Sequence, residues 1–290
     1  MKKIITILLT AITLTACTQI QKPVKSFTQW CEEKSTLPQK TKRTVEILLK
    51  KAGTQNCENA NTKLSKLNKL YLPSIKISDL KPLSSLSNLA FLNLNSNKIS
   101  DVKPLANLTN LTILSLDANQ ISDVKPLSNL TKLTYLGLGK NKISNLEALK
   151  NLTNLTNLSL WENQISDVKP LSNLTNLTNL NLWRNQISNV KELSNLTNLA
   201  ELWLNQNKIS NLKGLEKLIN LTELFLGENQ ISDVKPLSDL TNLNTLGLSK
   251  NKIIDVKPLS YLTNLTYLDL TKNPIINETC PLQEKYVCKF

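Results

Sequence analysis

The stretch Leu111-Thr-Ile-Leu114-Ser-Leu116-Asp-Ala-Asn119-Gln-Ile121 decides the fold, because its pattern returns every 22 residues along the chain. Its reference position is an asparagine that recurs nine times: Asn97, Asn119, Asn141, Asn163, Asn185, Asn207, Asn229, Asn251 and Asn273. One degenerate copy precedes these, with Ile75 in the asparagine position. Fixed self-similarity of this kind predicts a solenoid of ten coils over residues 64–276, each copy forming one coil.

The alternation of leucines describes one coil. In Leu-x-Leu the two leucines point inward and the residue between them points outward, as strand alternation requires. We therefore predict an α/β solenoid with a parallel β-sheet on its concave face and 3₁₀ or irregular turns on its convex side. Proline in the connector that follows limits full helix there. The asparagine is expected to pair backbone groups of adjacent coils.

The composition excludes several kinds of chemistry. The chain has 290 residues, about one in five of which is leucine, and it contains no histidine. Without histidine, no Ser-His-Asp or Cys-His nucleophile and no His-containing zinc site can form. The glycine-rich loops that bind nucleotide phosphates are missing as well. We therefore expect a protein that is not an enzyme and that carries no metal and no cofactor.

The N-terminus has the pattern of a bacterial export signal. Two lysines precede an apolar run from Ile4 to Leu14, which is too short to cross a membrane. The run ends in Leu14-Thr-Ala-Cys17, which resembles the bacterial lipobox. We predict a signal peptide over residues 1–16, lipidation of Cys17 and a lipidated tether over residues 17–26, which would anchor the protein to the cell envelope. The alternative is a simple cleavage site with a chance cysteine.

The remaining cysteines flank the repeats. There are four of them: Cys31, Cys57, Cys280 and Cys288. Two precede the repeats and two follow them, so pairing the first with the second and the third with the fourth is the economical choice among three pairings. An open stack of coils needs a cap at each end. We predict a disulfide-bonded N-terminal cap over residues 27–63, with a helix over 36–53, and a disulfide-bonded C-terminal cap over 277–290.

The repeat resembles that of the bacterial internalins, which share its 22-residue period and the connector Ile-Ser-Asp-Val-Lys-Pro-Leu of residues 121–127. It also resembles the phosphatase-regulator class of 22-residue repeats in eukaryotic cells. The flanks Phe27-Thr-Gln-Trp-Cys31 and Asn277-Glu-Thr-Cys280 look like those of exported leucine-rich-repeat proteins of cyanobacteria. The resemblance implies a leucine-rich-repeat horseshoe that binds a partner with its concave face.

The basic charge follows the repeat. Lys and Arg exceed Asp and Glu by 35 to 22. One connector position is a lysine in most copies: Lys81, Lys103, Lys125, Lys169, Lys191, Lys213, Lys235 and Lys257. An aspartate usually stands two residues earlier on the same turn, so we interpret the row as a solubilising ridge. Contact with an anionic surface is the alternative, and nucleic-acid binding is not expected of an exported protein.

Aromatic residues gather at the outward strand positions in the middle of the chain. Trp161 and Trp183 hold one position in adjacent copies, and Trp203 and Phe225 hold the next position over in the two copies that follow. Aromatic residues make up only 4% of the chain, so this clustering predicts a contiguous binding patch on the concave face. Further candidate contacts lie beside these aromatic residues: Tyr135, Glu162, Arg184, Glu201 and Glu223.

The favoured hypothesis is a monomeric, non-catalytic lipoprotein of the bacterial envelope that binds a protein ligand through this patch. A carbohydrate or peptidoglycan ligand on the same tryptophans is the alternative. A phosphatase-regulator scaffold is the third hypothesis, and the export signal disfavours it. Glu201 and Glu223, in the same position of neighbouring strands, match the spacing of a retaining glycosidase pair, but an open sheet face offers no enclosed pocket for catalysis.

Overall fold

The computed structural model describes residues 24–276 and 279–290, so the predicted signal peptide and Cys17 lie outside the described residues. The coils stack in chain order and contribute their strands to one parallel sheet. The strands are β1 Lys69–Tyr71, β2 Phe91–Asn93, β3 Ile113–Ser115, β4 Tyr135–Gly137, β5 Asn157–Ser159, β6 Asn179–Asn181, β7 Glu201–Trp203, β8 Glu223–Phe225, β9 Thr245–Gly247, β10 Tyr267–Asp269 and β11 Cys288–Lys289. The predicted solenoid is confirmed. Among the described residues, no helix is long and apolar enough to span a bilayer.

The core lies between the sheet and the convex turns. In every coil the inward leucines of the Leu-x-Leu pattern are buried. Leu158 and Leu160, for example, expose 2% and 0% of their surface. The isoleucine two residues after the asparagine and the Val or Leu three residues later complete each layer, as Ile165 and Val168 do. Since each coil buries its apolar side chains against the next coil, the fold is stabilised mainly by contacts between neighbours.

The strand register matches the repeat period. Leu180 lies opposite Leu202, and Asn181 lies opposite Trp203, each pair 22 positions apart. The same offset holds from β1 to β10. Residues that share a position in the repeat therefore stand side by side on the concave face, so a function can be built from one residue in each of several coils.

The recurring asparagine forms a ladder through the solenoid. In Asn207, Nδ2 donates to the carbonyls of Leu182 and Leu204 at 3.0 Å, and Oδ1 accepts from the Ile187 N–H at 3.0 Å. Leu182 and Ile187 belong to the preceding coil, so each asparagine satisfies backbone groups of two coils at once. Five of the nine side chains are buried, as expected, including Asn207 with 9% of its surface exposed, and the other four are half-buried. We call these nine residues the ladder asparagines.

The residue before each ladder asparagine has a left-handed backbone, and so does Ser74, which precedes Ile75 in the first coil. These ten non-glycine residues have φ between 51° and 59°: Ser74, Ser96, Ala118, Lys140, Glu162, Arg184, Gln206, Glu228, Lys250 and Lys272. This turn ends the concave segment while its N–H still reaches the next coil, as in Glu162, which donates to the Trp183 carbonyl at 2.7 Å. A side chain in this region is strained relative to glycine.

Short 3₁₀ turns line the convex side, in agreement with the expectation. They are Lys81–Leu83, Lys103–Leu105, Lys125–Leu127, Glu147–Leu149, Lys169–Leu171, Lys191–Asn195, Leu215–Lys217, Lys235–Leu237 and Lys257–Tyr261. The aspartate two residues before the connector lysine caps the turn, since Asp101 Oδ1 accepts from the Lys103 N–H at 2.9 Å. Among the described residues, no ion pair joins a connector lysine to this aspartate. The carboxylate therefore orders the backbone rather than neutralising the lysine side chain.

A second row of asparagines, on the outer flank, also links coils. Asn198 Nδ2 donates to the Thr175 carbonyl at 2.9 Å, and Asn176 does the same to Thr153 at 2.8 Å. These side chains are exposed, unlike the ladder asparagines. Water competes for their hydrogen bonds, so each contributes less to stability than its buried counterpart.

Three helices form the N-terminal cap: α1 Phe27–Glu32, α2 Gln39–Ala52 and α3 Cys57–Ser65. The helix predicted over residues 36–53 corresponds to α2, which begins after Pro38 and ends at Gly53 in the left-handed region. The prediction did not include α1 and α3, and α3 runs two residues past the predicted end of the cap at residue 63. With six and nine residues, both are shorter than the window of about 11 residues over which helical periodicity can be recognised in a sequence.

Both predicted disulfides are present. Cys31 in α1 pairs with Cys57 at the start of α3, and Cys280 pairs with Cys288. Cys288 also begins β11, which lies beside β10 with Cys288 opposite Leu268. Ten strands were expected from ten copies, and the eleventh is a correction, because the last residues carry no repeat pattern. This strand pairs with the backbone edge that β10 would otherwise expose.

Replacing the buried Asn207 by alanine removes the partner of four backbone groups in two coils. We expect Asn207→Ala to lower the free energy of unfolding by about 3 kcal/mol or more. Asn198→Ala, the matched loss of an exposed asparagine, should cost about 1 kcal/mol or less. Chemical denaturation of both variants measures the difference. Equal losses of unfolding free energy would show that burial does not increase the contribution of a ladder asparagine to stability.

Ala118 lies at a left-handed position, whereas Ala106 has an ordinary φ of −56°. We expect Ala118→Gly to raise the free energy of unfolding by up to about 1 kcal/mol, because glycine relieves the backbone strain. The same change at Ala106 should lower it by about 0.5–1 kcal/mol through unfolded-state entropy. Thermal unfolding of the two variants checks the opposite signs, and a loss at both positions would contradict the strain.

Candidate functional site

Two stacked aromatic pairs lie on the concave face, at the positions that the sequence predicted. The ring centroids of Trp161 and Trp183 are 5.9 Å apart and their planes differ by 21°. Those of Trp203 and Phe225 are 6.1 Å apart, with planes 5° apart. The first pair stands just past the ends of β5 and β6, and the second pair ends β7 and β8. The aromatic contacts therefore cross four adjacent strands obliquely.

The backbone beneath the first pair is fixed by hydrogen bonds between coils. The Trp161 carbonyl accepts from the Lys140 N–H at 2.6 Å, and the Trp183 carbonyl accepts from the Glu162 N–H at 2.7 Å. The indole ring of Trp161 lies directly over Gly139, where a Cβ atom would overlap the ring. Only glycine leaves room for this ring orientation. Gly139 is thus part of the site, and its signal in the sequence is a glycine one coil before a tryptophan at the same position.

A groove of about 220 Å³ lies between the two pairs. Its walls are the rings of Trp183, Trp203 and Phe225, and the amides of Asn181 and Asn205 complete its lining. Trp183 exposes 36% of its surface, although it is one of the largest apolar side chains. The groove can hold an apolar or aromatic group and offer hydrogen bonds to the atoms beside it. The two asparagines are not among the predicted contacts, because asparagine is common throughout the repeat.

A polar hollow of about 190 Å³ lies next to the groove, on the side of the N-terminal coils. Its lining is mostly amide and hydroxyl groups: Tyr135, Asn157, Leu158, Ser159, Asn179, Asn181 and Trp203. Threonine hydroxyls hold two of the amides in place, since Thr156 donates to Asn157 Oδ1 at 2.9 Å and Thr178 donates to Asn179 Oδ1 at 2.8 Å. The predicted contact Tyr135 therefore belongs to this hollow rather than to the aromatic groove.

A charged rim borders the aromatic residues. Arg184 Nη1 lies 2.8 Å from Glu162 Oε1, and Lys140 Nζ lies 3.9 Å from Glu162 Oε2. Glu162 and Arg184 occupy the left-handed position, each directly after a tryptophan of the first pair. Farther along the rim, Glu228 binds Lys250 at 2.9 Å, and this hydrogen bond lowers the pKa of Glu228. Such exposed pairs add little stability and remain accessible to the charges of a partner.

Glu201 and Glu223 are register partners on β7 and β8, as their common position predicts. Both side chains are half-buried on the open face. Neither carboxylate lines the groove or the polar hollow. The two residues form an acidic strip beside Trp203 and Phe225 rather than an enclosed acid–base pair.

Asp117 is a half-buried carboxylate near Tyr135 that the sequence did not single out. Burial raises the pKa of Asp117 above 3.8, although its hydrogen bonds to the backbone and to Ser159 act in the opposite direction. One of these bonds joins Asp117 Oδ1 to the Gly139 N–H at 2.7 Å. Burial also raises the pKa of Tyr135, and the charge of Asp117 adds to that effect. Asp117 stands at the position that tryptophan holds two coils later.

A family model described as leucine-rich repeats, two copies, matches residues 109–151, 153–196, 175–217, 197–239, 219–257 and 241–284. These matches cover more than half of the chain. The chain belongs to the leucine-rich-repeat family. No curated protein sequence matches this leucine-rich-repeat protein. The assignment to the leucine-rich-repeat family therefore rests on the repeat pattern and on the fold.

Solved structures place the leucine-rich-repeat protein beside the internalins. An internalin (InlF) of Listeria monocytogenes is 35% identical, with a TM-score of 0.75 over 80% of this chain and 69% of that chain. Internalin C2 of the same organism is 34% identical, with a TM-score of 0.67 over 70% and 91%. A leucine-rich-repeat protein of Leptospira interrogans is 33% identical, with a TM-score of 0.70 over 73% and 57%. The resemblance to internalins is confirmed, and the chain is a leucine-rich-repeat protein of the internalin type.

Asp117→Asn tests the burial of this carboxylate. Because folding raises the pKa of Asp117, its contribution to stability is most favourable below the unfolded-state pKa and is lost as the pH rises through the folded-state pKa. Asparagine keeps an acceptor for the Gly139 N–H and carries no charge. We expect a higher thermal midpoint at neutral pH and no gain at a pH below 3.8. Calorimetry at several pH values checks this, and a loss of stability at neutral pH would contradict it.

Proposed function

We propose that the chain is a non-catalytic protein of the bacterial envelope that binds a protein ligand with its concave face. The groove formed by Trp183, Trp203 and Phe225 carries the proposal. Trp183 is exposed and Trp203 and Phe225 are half-buried, so all three rings reach solvent, while the sheet and the ladder asparagines hold their backbone in place. A surface that is already ordered loses little conformational entropy on binding, and large aromatic side chains are the residues most enriched in binding hot spots.

The charges around the groove favour a protein ligand over a small apolar one. Glu201 and Glu223 provide an acidic strip along β7 and β8, and Arg184 adds a cation on the rim. Charges of both signs around an apolar centre are the arrangement of a protein interface, where they set register and association rate more than affinity.

We also propose that the protein is exported and attached to a membrane by lipid at Cys17, as a monomer. The segment Leu14-Thr-Ala-Cys17 supports this attachment, and the two disulfides suit an oxidising compartment outside the cytoplasm. The similarity to internalins supports a location at the cell surface. In this arrangement the solenoid extends beyond the tether with its concave face open to a ligand.

The double variant Trp183→Ala/Trp203→Ala removes two walls of the groove and leaves the core intact. The ligand is captured from an envelope extract by the wild-type protein, identified and purified, and its affinity is measured by calorimetry with purified components. We expect the double variant to bind about a thousandfold more weakly, since truncating each hot-spot residue costs about 2 kcal/mol or more and about 1.4 kcal/mol is tenfold in affinity. Its thermal midpoint should match that of the wild type.

Tyr261→Ala is the matched control, because Tyr261 exposes 68% of its surface on a convex turn. It should bind the ligand as the wild type does. Equal affinity of the double variant and the wild type would reject the groove as the binding site, and equal losses in both variants would show a contact that does not depend on the concave face.

A carbohydrate ligand is the second candidate, and the polar hollow favours it. The amides of Asn157 and Asn179 beside Tyr135 and Trp203 suit sugar hydroxyls next to a stacking ring. Titration with soluble peptidoglycan fragments, followed by tryptophan fluorescence, separates the two candidates. Saturable quenching that Trp203→Ala abolishes would favour the carbohydrate, and its absence together with protein binding would favour the protein ligand.

A further inference from the structure

The net positive charge is concentrated at one end of the chain. Residues 24–76 contain eleven Lys and Arg against four Asp and Glu, a net charge of +7. Residues 77–290 contain 21 against 18, a net charge of +3 over a segment four times as long. The connector lysines are thus nearly balanced by carboxylates in the same coils. The basic excess belongs to the N-terminal cap and the first coil, which corrects the expectation that the net positive charge follows the repeat.

Four of these cations surround one hollow of about 700 Å³ between α2 and the first coil. Arg43, Lys50 and Lys51 extend from one face of α2, and Lys76 follows the turn after β1. All four side chains are exposed. In the described part of the chain, none of the four forms an ion pair. Their charge is therefore presented to solvent without a neutralising partner.

The apolar lining of this basic hollow consists of Ile47 and Ile75, both half-buried. Ile75 stands where the later coils have the ladder asparagine. Its carbonyl accepts from Arg43 Nη2 at 2.9 Å and from Nε at 3.2 Å. These bonds hold the guanidinium at the edge of the hollow, with its remaining N–H donors available.

A buried carboxylate fixes α2 against the first coil. Asp79 Oδ2 accepts from the Thr41 hydroxyl at 2.6 Å, and the Asp79 carbonyl accepts from the Thr44 hydroxyl at 2.8 Å. Asp79 exposes only 7% of its surface. The cations of α2 and Lys76 therefore keep fixed relative positions. The single carboxylate of α2, Glu46, does not line the hollow.

The position of this hollow in the chain indicates its ligand. Val24 follows Cys17 by seven residues, a segment that spans at most about 25 Å when fully extended. With the proposed lipid at Cys17, the cap is the folded part nearest the membrane. Cations around an apolar floor match the phosphate and upper acyl region of anionic lipids, and lysine and arginine stems can lie along that boundary.

We propose that the N-terminal cap docks on an anionic lipid surface through Arg43, Lys50, Lys51 and Lys76. The location of this contact rests on the proposed attachment at Cys17, and the contact itself depends on the basic hollow. An acyl anchor alone leaves the protein free to tilt, whereas a second, electrostatic contact fixes the angle between solenoid and membrane. The concave face then has one orientation relative to the surface.

The test uses the chain begun at Thr18, which keeps both caps and every coil and lacks Cys17. Sedimentation with vesicles compares neutral phosphatidylcholine with mixtures in which about a third of the lipid is anionic phosphatidylglycerol. We expect binding to the anionic vesicles only, and release at about 1 M salt, where the Debye length is about 3 Å.

The variant Lys50→Gln/Lys51→Gln/Lys76→Gln keeps Arg43 and its bonds to Ile75, so the cap stays assembled. We expect its vesicle affinity to fall about a hundredfold, at about fivefold for each cation near the surface. The control Lys213→Gln/Lys235→Gln/Lys257→Gln removes the same charge from connector lysines of distant coils. It should bind vesicles as the wild type does, and thermal unfolding verifies that both variants are folded.

Three results would overturn the proposal. The first is equal loss of binding in both triple variants, which would assign the effect to net charge. The second is the same affinity for neutral and anionic vesicles. The third is release by millimolar inorganic phosphate at constant ionic strength, which would identify a site for a small anion instead of a bilayer.

The docking of the cap on lipid and the binding of a ligand by the concave face can be refuted separately. The shortened chain cannot be lipidated, so a failure of the attachment at Cys17 leaves the vesicle measurement unchanged. The variant Trp183→Ala/Trp203→Ala should bind anionic vesicles as the wild type does. If it lost vesicle binding as well, the contact would lie on the concave face and the cap would not be the docking surface.

Discussion

The hydrogen bonds of the ladder asparagines are the constraint on which the rest of the structure depends. Each asparagine satisfies backbone groups of its own coil and of the coil before it. Five of the nine, Asn207 among them, do so in buried positions where water cannot substitute, and the other four are half-buried. These bonds form only when successive coils have the same length, so they keep the period at 22 residues. The constant period in turn places equivalent residues side by side, which is the condition for the stacked pairs Trp161–Trp183 and Trp203–Phe225.

The first and last coils each lack one neighbouring coil, and different structures take its place at the two ends of the solenoid. At the first coil Ile75 replaces the asparagine, and Arg43 from α2 supplies donors to its backbone. At the last coil β11 extends the sheet and is tied to the chain by the disulfide Cys280–Cys288. A terminal strand as short as β11, with two residues, limits the pairing of the sheet with strands of a second copy.

The repeat made most of the fold predictable from the sequence, because a signal repeated in every coil specifies the strand, the inward leucines and the ladder asparagine many times over. Features that occur once had no such support. The dipeptide that forms β11 has no pattern of its own, and α1 is too short to show helical periodicity. At the candidate site the aromatic positions followed from counting along the repeat, whereas the fit of Trp161 over Gly139 and the burial of Asp117 depend on side-chain packing between coils that spacing does not encode.

The oblique course of the aromatic residues across the sheet limits the shape of a ligand. From Trp161 to Phe225 each successive ring lies one strand farther along, and strands are about 4.8 Å apart. Between Trp183 and Trp203 the contact also moves two residues along the strand direction. A ligand that touches all four rings needs groups at this pitch and a lateral step in the middle. The concave face therefore selects a ligand first by the spacing of its groups and then by their chemistry. The length of the binding surface can change only by the addition or loss of whole coils.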